Sequence, residues 1–99
     1  MAALVTIRYT TADPQWREAV AGAVQRSLAR KPDVLFTVTT LVPGAGEPDA
    51  QAERAQAAAT SGADVARSIV ADGAAPGQVE QIVRMDPALA VREVRLTVH

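Results

Sequence analysis

Apolar residues recur along the chain with two alternating periods. In Leu4–Tyr9, Val5, Ile7 and Tyr9 share one side and Thr6 and Arg8 the other, the period of a half-buried strand. From Trp16 the period lengthens. Trp16, Val20, Val24 and Leu28 return every fourth residue, flanked by Ala19 and Ala23, which makes one apolar stripe on an amphipathic helix. The pattern predicts that this helix starts from an Asp13 cap with Pro14 in its first position, and ends at Arg30 and Lys31 before Pro32. Val34–Leu41 returns to alternation with β-favouring residues on both faces, so it is predicted to run inside a sheet.

The second half repeats the scheme. Pro and Gly across positions 43–48 mark a loop, and Asp49 can cap a helix of about Ala50–Asp72. Gly73 suits the left-handed position that closes a helix. The predicted buried stripe is Ala55, Ala58 with Ala59, Gly62, Val65 with Ala66, and Ile69. Its first half is small and buries little area, so that half is expected to be held less firmly. Val79–Met85 and the alternating Val94, Leu96 and Val98 supply two last strands. The short connection between them predicts an antiparallel hairpin.

The order β-α-β-α-β-β predicts an α+β fold. It is a two-layer α/β sandwich with a mixed four-stranded sheet and two helices on one face. Each β-α-β step is expected to set parallel neighbours side by side through a right-handed crossover. The other face, with Thr6, Arg8, Thr37, Thr39, Glu93 and Arg95, is expected to be mostly wet. Leu4, Leu35 and Leu41 interrupt it and form an expected apolar spot for another domain or subunit.

Composition removes several functions. The chain has 99 residues, the size of one domain. Ten basic against eleven acidic side chains leave a formal charge of −1, without the basic excess of a nucleic-acid binder. No cysteine is present, and the one histidine is His99, so a disulfide framework, a thiolate nucleophile, a His-based metal cluster and a His-containing triad are all excluded. No apolar run nears the ~20 residues of a membrane span. Met1–Tyr9 lacks the pattern of a signal peptide. Two readings of location stay open: a cytosolic protein, or a domain taken from a longer exported chain.

Chemical motifs are sparse. Pro43-Gly44-Ala45-Gly46 stands where a phosphate loop would, but no third glycine and no Lys-Ser/Thr follow, and Glu47 and Asp49 place negative charge there. Glu47, Asp49 and Glu53 cluster at a helix start, where acidic residues offset the helix dipole without any catalytic role. Ser27, Ser61 and Ser68 lack a G-x-S-x-G context. Arg8, Arg92 and Arg95 suggest a basic strip, yet Glu93 interleaves and makes a solvated strand face the simpler reading. Trp16 at helical spacing is expected in the core. The reading is of no enzyme, no cofactor and no metal.

One resemblance emerges. Val34–Thr40, a loop, a long helix, and then Val65-x-x-Ser68-Ile69-x-x-x-Gly73 before Val79 are similar to the OmpA-like C-terminal domain. The likeness covers residues 34–98, and Leu4–Leu28 agrees in topology. It implies one domain over 1–99, drawn from a longer exported protein, in the periplasm or associated with the outer membrane. It implies as partners other domains of the parent chain, envelope proteins or peptidoglycan, and neither nucleic acid nor membrane insertion of this segment. The family holds the diaminopimelate of peptidoglycan with an Asp after a Thr at the end of the second strand and an Arg in an R-A-x-x-V helix segment. Here Leu41 follows Thr39-Thr40, and anchoring on Val65 places Ser61-Gly62 at the R-A pair. The resemblance therefore implies a non-catalytic structural or protein-interaction domain without the usual ligand pair. Its alternatives are peptidoglycan binding through a displaced site built from Thr40, Asp49 and Arg54, or a small-ligand-binding α/β domain.

Overall fold

A computed structural model describes residues 3–11, 14–44 and 48–99. The chain runs β1 (Val5–Arg8), α1 (Arg17–Arg30), β2 (Phe36–Pro43), α2 (Pro48–Ala71), a single 3-10 turn (Pro76–Gln78), β3 (Val79–Asp86) and β4 (Glu93–Val98). The four strands form one mixed sheet in the order β1-β4-β2-β3, with both helices on one face, as the element order predicts.

The predicted hairpin does not form. β4 leaves β3 and inserts between β1 and β2, antiparallel to both, while β3 lies parallel to β2 at the edge. Burial accounts for this. Val94 and Leu96 are buried and need helices above and strands on both sides, whereas Val83 and Met85 stay 49% and 58% exposed. The β2-α2-β3 step gives the expected parallel neighbours. The β1-α1-β2 step does not, because β4 separates its two strands.

Ile7, Val38 and Leu96 meet Val20, Val65 and Ile69 in the layer between sheet and helices, over Phe36. Trp16 joins this core and takes the N-cap position of α1, which therefore starts at Arg17 rather than Pro14. Pulling the indole inward sets the helix origin: the Val20 N–H donates to the Trp16 carbonyl at 3.0 Å. The expected Asp13 cap lies outside the described residues.

α2 ends as its glycine predicts. Gly73 has φ +124°, and the N–H groups of Gly73 and Ala74 donate to the carbonyls of Val70 and Ile69 at 3.1 and 3.3 Å, a Schellman closure. The other end differs from expectation. Asp49 sits inside the first turn rather than before it, and Ala55 and Ala59 are exposed. Buried positions begin only at Ala58 and continue through Ser61, Gly62, Val65, Ala66 and Ile69. The first two turns of α2 thus add no fully buried side chain to the core.

The open face of the sheet is drier than expected. Thr37, Leu41 and Glu93 are buried there. The three leucines do not form one spot, either. Leu41 is covered, Leu35 is exposed beside His99 at the sheet end, and Leu4 borders α1 with Ala23 and Arg26.

Candidate functional site

The end of the sheet where β2 hands over to α2 is the place the resemblance points to. Gly62 faces β2 there. A Cβ at position 62 would stand 2.5 Å from Thr40 Oγ1, so only glycine fits without movement. Thr40 is 1% exposed beneath it. Ser61, one residue earlier, donates its hydroxyl proton to the Ala57 carbonyl at 3.0 Å and is hydrogen-bonded with Tyr9.

Tyr9 follows β1 and crosses this end of the sheet. Its N–H donates to the Arg92 carbonyl at 3.0 Å, and the Arg92 guanidinium carbon stands 4.5 Å from the centre of its ring. Burial raises the Tyr9 pKa above its ordinary value, while Ser61 and the Arg92 charge pull it back in part. Arg92 Nε is buried and makes no hydrogen bond among the described residues. Tyr9, Pro43, Arg54, Ala90, Val91 and Arg92 enclose a hollow of about 200 Å³.

The three candidate residues occupy different surroundings. Arg54 borders this hollow. Thr40 lies under α2 and does not reach it. Asp49 is exposed in the first turn of α2, and five residues on an α-helix turn about 140° around its axis, so Asp49 and Arg54 do not share a helix face. The structure brings Arg54 to Tyr9 and Arg92, not to Thr40 or Asp49.

Tyr9 and Arg92 were the residues sequence reasoning missed at this place. Arg92 has the parity of Val94 and Leu96, which points to the helix side of β4, so it never belonged with Arg95 in a strip on the open face. The signal was in the alternation; only the strand's first residue hid it. Among the described residues no group of three or more His, Cys, Asp or Glu side chains is placed to hold a metal ion. No described helix is long and apolar enough to cross a membrane.

No family model matches the chain. No curated protein matches it either. Among solved structures, it is similar to the OmpA-like domain of FopA1 from Francisella tularensis, with a TM-score of 0.67 over 95% of this chain and 73% of that one. Sequence identity over the match is 11%, so the likeness is one of fold.

Proposed function

We propose that the chain is a non-catalytic OmpA-like module that serves as a structural or protein-interaction domain of a cell-envelope protein, in the periplasm or against the outer membrane. It works without the charged pair by which the family grips peptidoglycan. One observation carries this reading. At the helix position where the resemblance puts an arginine, Ser61 is enclosed between the Ala57 carbonyl and Tyr9, and Gly62 beside it is pressed on Thr40. No cation projects from that turn, and Leu41 replaces the acid on the strand side.

Sedimentation of the protein with purified peptidoglycan sacculi tests it. The expected result is no saturable co-sedimentation. Saturable binding that Asp49→Ala or Arg54→Ala abolishes overturns it and establishes a displaced ligand site instead. One observation favours that second reading: Arg54 and Arg92 border one hollow beside Tyr9, where a stem-peptide carboxylate could engage a guanidinium. It needs an acid as well, and Asp49 does not border that hollow.

A further inference from the structure

The sheet's open face carries a feature unrelated to the α2 end. One row of neighbouring residues crosses all four strands: Arg8 on β1, Glu93 on β4, Leu41 on β2 and Arg84 on β3. Arg95 follows two residues after Glu93 on the same face. These side chains and the hydroxyls of Thr6, Thr39 and Thr97 line a hollow of about 430 Å³. Among the described residues three basic side chains and one acidic one line this hollow, while Glu80 and Asp86 lie on the same face of β3 outside it, Glu80 accepting a hydrogen bond from Thr37 and Asp86 one from the Ala88 N–H.

The interior of the row is built around a buried charge. Glu93 is 4% exposed although no helix covers this face. Arg95 Nη2 lies 3.5 Å from its Oε1, close enough for attraction, yet Oε1 has no hydrogen bond. A carboxylate removed from water requires compensating charge, and Arg95 supplies it. With Glu93 engaged by Arg95, two guanidiniums remain. Arg8 and Arg84 are exposed and form no ion pair or side-chain hydrogen bond among the described residues. They stand three strand spacings apart, about 14 Å at the usual ~4.8 Å per step.

We infer that this face docks an extended acidic peptide segment of a partner protein, with Arg8 and Arg84 each taking a carboxylate. In an extended chain, side chains four residues apart lie about 13 Å apart on one side, which matches the separation of the two arginines. Guanidinium forks suit carboxylates in two-pronged contact. The hydroxyls of Thr6, Thr39 and Thr97, which line the hollow, offer acceptors for the segment's backbone N–H groups. A nucleic-acid strand fits less well: Trp16 and Phe36 are in the core and Tyr9 is at the Arg92 end, which leaves no aromatic ring here for a base to stack on. The inference goes beyond the proposed function above and concerns different residues, so a peptidoglycan-binding result leaves it standing.

Fluorescence anisotropy tests it with a labelled peptide of about eight residues bearing Glu at every second position. A Gln-for-Glu peptide and a single-stranded oligothymidylate of similar length serve as comparison probes. The expected result is saturable binding of the Glu peptide alone, weakened about tenfold or more in Arg8→Gln/Arg84→Gln and lost by about 0.5 M salt. Both arginines are exposed, so the double variant is expected to keep the circular dichroism and melting profile of the parent. Absence of saturable binding, equal binding of the Gln peptide, equal binding by the folded double variant, or tighter binding of the oligonucleotide would each overturn the inference.

Discussion

Gly62 lies so close to Thr40 that a methyl group at position 62 would stand 2.5 Å from Thr40 Oγ1. The contact lets α2 settle on β2 over a threonine rather than over a larger apolar residue. Gly62→Ala should therefore destabilise the protein. Alanine gains about 1 kcal/mol in helix propensity, but overpacking at a closed site costs about 1–3 kcal/mol. The expected net loss is up to about 2 kcal/mol, read from urea unfolding. In Thr40→Ala the obstructing atom is gone, so adding Gly62→Ala to that variant should cost less than in the parent. Equal costs in both backgrounds would show that the contact is not the cause.

Tyr9 offers a pH prediction. Burial holds its pKa above the ordinary 10.0, so folding favours the protonated phenol. That contribution is complete below pH 10 and is lost as the pH climbs through the raised value. Tyr9 is the chain's one tyrosine, so phenolate absorbance reports it directly. The titration midpoint should lie above 10.0 in the folded protein and rise further in Ser61→Ala, which removes a group that lowers it. Tyr9→Phe should remove this part of the alkaline loss of stability.

Amide hydrogen exchange should divide α2 in two. Positions 52–57 are all exposed, while Val65 and Ile69 are fully buried. The exposed turns bury no side chain fully and open locally, so their amides should exchange at least about a hundredfold faster than those of the buried half. Uniform protection from Pro48 to Ala71 would contradict this division.

Ile69 sits at 0% exposure, and its carbonyl accepts the N–H of Ala74 in the helix closure. Ile69→Ala should cost about 2–5 kcal/mol and Ile69→Val about 0.5–1.5 kcal/mol. Chemical denaturation at neutral pH checks both. Similar costs for the two would mean that the site collapses around the missing volume.

Local chemistry made much of this fold legible in the sequence. Alternation located the strands, the four-residue recurrence from Trp16 gave α1, and Gly73 marked the end of α2. Strand order was not legible, because a short connection between Val79–Asp86 and Glu93–Val98 is compatible with a hairpin or with a step across β2. The choice was made by long-range burial of Val94 and Leu96 under two helices. The site was harder still. Tyr9, Ser61 and Arg92 come together only once three distant segments close on one end of the sheet. Glu93 shows the same limit, since alternation assigned it to the open face but could not reveal that it would be buried there beside Arg95.

The most direct test of the whole reading is residue-resolved. A soluble muropeptide carrying diaminopimelate is titrated into isotope-labelled protein while backbone amide shifts are followed. The account predicts no saturable shift at Thr40, Arg54, Ser61 or Arg92. Saturable shifts clustered at those residues would mean that the end of the sheet grips cell-wall peptide after all.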